Sequence, residues 1–324
     1  MKITSRDLVA GLLSLSFVYA GPVSAQNYPV KPIRIIVPYS PGGSTDVVMR
    51  ILAPRMMENL GQQVVVENRP GGSSTIGLDV VAKSAPDGYT LGVPNLTFGA
   101  NPSLIKKMPF DTEKDLVPVS LVSIVTLVLT VHPSIPARSV KELIALAKSK
   151  PGSLNYASAG NASANHLATE RFNYMTGTKM VHIPFKGGGP AVISIVSGET
   201  AILMATIPSS IQHFETGRLR PLGVTSLQRN AALPKIPSIN EAGVAGYEAI
   251  EWNGIVVPAG TPQAIITRLN QAIVKSLSIP EVKRRILDLG ADPVGNSPEE
   301  FSAFIKKEIA TWTKVIKEVG ITVE

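Results

Sequence analysis

Apolar positions along the chain fall into short runs separated by loops of Gly, Pro, Ser and Asn. Ile33, Ile35 and Val37 alternate as a strand does. Val47, Val48, Ile51, Leu52 and Leu60 then recur at helical spacing up to Gly61, which suits a helix C-terminus. Pro54 inside that helix predicts a kink. Val64 to Val66 predict a second strand, so the chain opens as a parallel βαβ unit. The alternation continues with a helix closing over Asp79–Ser84, a turn at Asp87-Gly88 and a strand over Tyr89–Val93. Ser139 and Glu142 predict a capping box for a helix running to Lys150. Strands are expected at Leu154–Ala157 and Met180–Ile183, with helices through His166–Phe172 and Val192–Val196. A strand–loop–helix follows over Ala201–Phe214. Thr261-Pro262 opens a helix with Ile265, Leu269 and Ile273 on one face, and Ser297-Pro298-Glu299-Glu300 opens the last. Such alternation predicts an α/β protein with mostly parallel sheets.

Two segments break the alternation. Leu116–Val131 is a long β-rich run, and Tyr247–Val257 is a second apolar stretch containing Trp252. Two such strands predict a chain that crosses into a second domain and returns. The expected division is residues 26–122 plus 252–324 for the first domain and 123–251 for the second. Residues 1–25 stand apart. Lys2 and Arg6 precede an uncharged apolar run from Leu8 to Gly21, and Val23-Ser24-Ala25 supplies small residues at a cleavage site. They predict a secretory signal peptide cut after Ala25, and the run is shorter than the ~20 residues of a spanning helix.

Composition narrows the classes. With the leader, Lys2, Arg6 and Asp7 are removed, and the formal charge falls from +7 to +6. Lys and Arg are scattered rather than clustered, and only 5% of residues are aromatic, which argues against a nucleic-acid surface. An anionic small molecule suits the excess better. The 44% apolar content supports packed cores. No cysteine is present, which excludes disulfides, thiolate metal sites and thiol catalysis together.

Chemistry is expected where strands run into helices, beyond the carboxyl ends of a parallel sheet. Four loops qualify: PYSPGG (38–43), PNLT (94–97, with Asn95 and Thr97), SAGNAS (158–163, with Ala159) and PFKGG (184–188). Thr206, closing the strand ILMAT, is a fifth candidate. Gly, Ser, Thr and Asn expose backbone N–H groups and add hydroxyl or amide donors. One loop in open solvent is too weak: a charge-assisted hydrogen bond contributes ~1.5–3 kcal/mol, while micromolar binding needs ~8 kcal/mol net. Two loops closing on the ligand from opposite domains supply more.

Competing uses of these residues fit less well. Gly42 and Gly43 are adjacent with no lysine following, unlike a Walker A loop, and G-x-G-x-x-G does not occur there. A tight turn that uses its glycines for geometry alone stays open. Ser103-Leu104-Ile105-Lys106 matches S-x-x-K without the accompanying S-D-N or K-T-G, a thin basis for a hydrolase. His132, His166, His182 and His213 lack metal-site spacing, and His166 alone lies near a candidate loop, with packing and contact both open. Asp46 in the first turn after PYSPGG reads as loop-shaping, with an ammonium or hydroxyl of the ligand as its other possible partner. Lys186 reads equally as a ligand contact or a solvated lysine.

Beyond single loops, the stretches YPVKPIRIIVPYSPGGSTD, VVVENRPGG, APDGYTL, NPSL, SVKELIALAKSKPGSLNYASAGN, HIPFKGGGPA, VVPAGTP and PEEFSAFIKKEIATWTKVIKEVGI occur in order over nearly all of residues 28–321. This series resembles the substrate-binding receptors of tripartite tricarboxylate transporters, the Bug-type proteins. The resemblance implies a periplasmic-binding-protein-like fold of type II, a Venus flytrap of two α/β domains joined by two crossing strands. It implies a periplasmic, monomeric, non-enzymatic receptor without cofactor or metal. Such a receptor holds a small mono-, di- or tricarboxylate and delivers it to membrane permease subunits; a sensor that presents its ligand to a membrane kinase is the alternative. By resemblance the ligand-binding set includes Tyr39, Ser40, Gly42, Gly43, Ser44 and Asp46, then Ser158, Asn161, Ser163 and His166, and Lys186 with Gly187. Two departures are expected on the cleft wall. Where relatives commonly read FDNLPS this chain reads MATIPSS, placing Ala205 and Thr206 there, and Phe98 replaces a usual His.

Overall fold

The computed structural model describes residues 28–321, so the expected leader and its cleavage site lie outside the described residues. β1 (Ile33–Val37) pairs in parallel with β2 (Val64–Asn68) and β3 (Thr90–Gly92), with α1 (Ser44–Leu60) and α2 (Thr75–Ala82) as the crossovers. α1 ends on Gly61 in the left-handed conformation and runs without interruption through Pro54. A second parallel block forms from β5 (Asn155–Ser158), β6 (Val181–Pro184) and β7 (Ile202–Thr206), joined by α5 (Ala164–Thr176) and α6 (Gly188–Val196). Its remaining helices are α4 (Val140–Ser149) and α7 (Ile207–Glu215).

The two blocks are joined by antiparallel strands. β4 (Leu116–Val131) pairs with β9 (Ile250–Pro258) from Leu116 to Thr126, then with β7 and β8 (Arg220–Val224) from Leu127 onward. The path is β2-β1-β3-β9-β4-β7-β5-β6, with β8 and β10 (Ala291–Pro293) also on β4. The expectation of mostly parallel sheets therefore holds within each block only. One long strand leaves the first block and another returns, and an out-and-back pair is antiparallel by geometry. Register shifts interrupt the β4–β9 ladder at Pro118/Ser120 and Leu121/Ser123, as β-bulges do.

Further elements escape the apolar pattern. α3 (Leu96–Leu104) carries Pro102 and is buried on most sides, α9 (Pro280–Leu287) is short, and β8 and β10 are brief edge pairings. α8 (Gln263–Leu277) buries Ile265, Leu269 and Ile273, and α10 (Pro298–Val319) begins with a complete capping box between Ser297 and Glu300. The box expected at Ser139 is half formed. Ser139 accepts from the Glu142 N–H at 3.2 Å, but the Glu142 carboxylate takes the N–H of Arg138 at 2.7 Å instead. Among the described residues no helix is long and apolar enough to cross a membrane.

One contact ties the crossing strand to the C-terminal helix. A Cβ on Gly254 of β9 would lie 2.0 Å from the Phe301 ring, which also meets Trp252 edge-on at 5.7 Å. Gly254→Ala is therefore expected to lower stability by about 1–3 kcal/mol through overpacking, read as a fall in the midpoint of thermal unfolding.

Candidate functional site

Each strand-to-helix loop opens on the same side of its block, and the two sets face one another across a cleft of about 780 Å³. That volume suits a small organic ligand. The first wall is the loop after β1. Gly43 caps α1 in extended geometry with no capping side chain, and Gly42 takes a φ of +81°, a conformation that suits glycine. Asp46 closes this loop from behind. It accepts the Gly42 N–H at 2.9 Å, the Asn68 amide at 2.9 Å and the Arg50 guanidinium at 3.0 Å. Burial raises its pKa, but these hydrogen bonds together outweigh burial and hold the carboxyl below its ordinary value. With its oxygens so occupied, Asp46 shapes the loop and does not line the cleft.

Next to it stands a fixed polar network. Asn95 caps α3 by accepting the Thr97 N–H at 2.9 Å, and the Tyr39 hydroxyl donates to the same Asn95 oxygen. The Tyr39 hydroxyl also meets Thr97 Oγ1 at 2.9 Å, and burial pushes its pKa far above the ordinary phenol value. Tyr39, Ser40, Gly42, Gly43, Ser44, Asn95 and Thr97 all line the cleft.

The opposite wall comes from the second block. Ser163 caps α5, while Lys186 and Gly187 bring up the start of α6, with Ala159 beside them. Thr206 caps α7 and meets Ser209 at 2.8 Å, and Ala205 adds an apolar patch. Ser158, Asn161 and His166 do not line the cleft. The Ser158 hydroxyl is spent on His182 Nε2 at 2.6 Å, and Asn161 points to solvent. His166 accepts the Ala162 N–H at 3.1 Å and stacks on His182 at 3.9 Å, which stacks in turn on Tyr156 at 5.0 Å. Burial, with His182 adding to it, lowers the His166 pKa to about 3, so the ring is neutral and supports the loop from below. Phe98 also leaves the expected wall. It is buried against Phe110 at 6.4 Å, because α3 turns that side chain into the core. Ser103 meets Thr313 at 2.8 Å and does not line the cleft, so nothing in its setting favours a nucleophile.

The acidic residue of the lining has no counterpart among the candidates drawn from the sequence. Glu251, in β9, is buried yet faces the cleft beside Ser44 and Asn95. Its signal was the single charged residue of β9, beside Trp252 in a mainly apolar strand. Gly189 and Asn165, outside the four candidate loops, also line the cleft.

A two-walled cleft between strand-to-helix loops, on two parallel blocks joined by crossing strands, defines a solute receptor of the periplasmic-binding type, and solved receptors share this fold. The chain belongs to the tripartite tricarboxylate transporter family receptors, whose family model matches residues 48–321. It is 39% identical over 322 residues to protein BugT of Bordetella pertussis, covering 99% of both chains. Among solved structures it is similar to Rpa4515 of R. palustris with adipate, at 35% identity and a TM-score of 0.84, covering 91% of this chain and 100% of that one. It is similar also to MatC of Rhodopseudomonas palustris with bound malate, at 30% identity and a TM-score of 0.80, covering 89% of this chain and 100% of that one.

The neutral histidine stack has a pH consequence. An unfolded histidine titrates near 6.5, whereas His166 in place resists protonation until about pH 3. The unfolded state therefore binds more protons between these values, and stability is fully present above pH ~6.5 and falls as pH drops through that window. The slope for this group is at most ~1.4 kcal/mol per pH unit. Denaturant unfolding at a series of pH values is expected to show it, and His166→Gln to flatten it.

Proposed function

We propose that the protein is an extracytoplasmic receptor that closes on a small carboxylate and delivers it to the membrane subunits of a tripartite tricarboxylate-type transporter. The observation that carries this reading is the convergence of the starts of α1, α5 and α6 on one cleft. Helix starts bring unpaired N–H donors and a partial positive charge, and together they suit a carboxylate better than any neutral solute. The adipate and malate held by the similar receptors support the same ligand class. Family membership and the secretory leader expected over residues 1–25 support a periplasmic location.

Closure, in this reading, brings a lobe of residues 26–122 and 252–324 against one of residues 123–251. The hinge lies in β4 and β9, near the point where β4 exchanges β9 for β7 and β8 after Thr126. Tyr39, Ser40, Gly42, Gly43, Ser44, Asn95 and Thr97 act from the first lobe, and Ala159, Ser163, Lys186, Gly187 and Thr206 from the second. Asp46, Ser158 and His166 hold the loops in shape.

A thermal-unfolding panel of carboxylates, sugars and amines tests the ligand class. A carboxylate at about 100 times its dissociation constant is expected to add ~2.7 kcal/mol of stability. A shift with sugars or amines and none with any carboxylate overturns the reading.

Gly43→Asp tests the grip itself. A Cβ at Gly43 meets nothing closer than the Ser40 carbonyl at 3.5 Å, and Asp is a favoured helix cap, so the fold is expected to be unharmed. The added carboxylate lies where the ligand's own is expected. At ~4 Å and an effective dielectric of ~20 the repulsion is about 4 kcal/mol, or about a thousandfold in affinity. Titration calorimetry that found unchanged affinity would show that this loop does not hold the ligand.

A further inference from the structure

Among the cleft-lining residues Glu251 is the only acid and Lys186 the only base. An acid there is unexpected, since three helix starts make the cleft a place for negative charge. Glu251 is also poorly satisfied. Its carboxylate is about nine-tenths buried, and its partners are the Ser44 hydroxyl at 3.5 Å from both oxygens and the Asn95 amide at 3.4 Å. Both contacts are at the long limit of hydrogen bonding, and neither partner is charged. Asn95 has no freedom to turn away, because its oxygen accepts from Tyr39 and from the Thr97 N–H, which leaves its NH₂ directed at Glu251. The chain has built a deep acceptor, aimed it into the cleft and given it no countercharge.

We propose that Glu251 anchors an ammonium group of the ligand, so that this cleft selects amino-carboxylates over plain carboxylates. The proposal rests on the receptor reading above. The two anchor points are adjacent. Ser44 opens α1, where the ligand's carboxylate is held, and its hydroxyl touches Glu251. An amino-acid ligand presents an ammonium beside its carboxylate, matching that spacing. A plain dicarboxylate puts a second negative charge against a buried carboxylate. A hydroxyl supplies a hydrogen bond but leaves the buried charge unpaired, and an unpaired buried charge is the costly case. Ala205 on the second wall carries no charge, so the one acid of the cleft lining stands on β9.

The charged and titratable groups around Glu251 are few. From the loop after β1 comes Tyr39, held as a neutral phenol; from α1 comes Asp46, tied to Arg50; from across the cleft comes Lys186. β4 presents Thr126 and Val125 alongside β9, neither of which titrates. Burial raises the Glu251 pKa to about 7, with Ser44 and Asn95 pulling weakly the other way. An ammonium favours the ionised form, so binding releases protons near neutral pH, and affinity for the ligand falls as pH drops below about 7.

The test uses matched pairs that differ only by the amine: propanoate and alanine, butanedioate and aspartate, pentanedioate and glutamate, 3-phenylpropanoate and phenylalanine. Each is measured by thermal shift and calorimetry on the mature protein, and binders are repeated in buffers of different ionisation enthalpy. The wild type is expected to favour the amino member of at least one pair by about tenfold or more, with proton release. Glu251→Gln, which keeps the shape, is expected to erase or reverse that preference and to admit plain dicarboxylates. If plain carboxylates bind the wild type as well as their amino partners or better, or bind with proton uptake, the Glu251 proposal fails while the receptor reading stands. If no carboxylate of either kind binds and another class of solute does, the receptor reading fails and this proposal with it. The wild-type comparison decides the matter even if Glu251→Gln does not fold.

Discussion

The antiparallel ladder between β4 and β9 is the constraint on which the rest of the structure depends. Running from Leu116↔Pro258 to Thr126↔Ile250, it joins two parallel blocks that each keep a core cluster of their own and share a third that runs from one into the other. Parallel strands end on one side of a sheet, so every helix that follows a strand starts on that side. Because β4 continues from one block into the other, the two sets of helix starts face the same cleft. The site is thus a product of topology before any side chain is chosen.

Within that frame the side chains divide the work. Those that look most reactive in the sequence serve the scaffold. Asp46 folds the glycine loop onto itself through Gly42, Asn68 and Arg50, and His166 with His182 and Tyr156 props the loop after β5. The groups left facing the cleft are mainly backbone N–H donors, hydroxyls and amides, with a single charge of each sign. Such a cleft binds by geometry rather than by bulk charge, consistent with the absence of any clustered basic patch in the sequence.

Most of the fold was legible in the sequence because its loops announce themselves. Gly42-Gly43, Gly160 and Gly187-Gly188 interrupt apolar runs where strands give way to helices, and Ser163 and Ser297 mark helix starts by their own capping chemistry. What escaped lacks such local marks. α3 has no amphipathic period because it is buried on most sides, and β8 and β10 exist only as short pairings along β4. The same limit applied to the site. Which loops qualify could be read from the alternation of strands and helices, but not which side chains turn inward. Phe98 and Glu251 show this in opposite directions: the aromatic turns into the core, and a charge inside an apolar strand turns into the cleft.

The Gly43 cap carries a wider consequence. In the receptor reading proposed above, a helix start that offers bare N–H groups, with no side chain of its own in the way, makes the grip a property of the main chain. Main-chain donors survive almost any substitution around them, provided the turn keeps its shape. A lineage built on this loop is free to exchange the residues across the cleft, and with them its preferred solute, without rebuilding the hold on the carboxylate. On that reading a change of solute needs only a few new lining residues, while the turn at Gly42-Gly43 stays as it is.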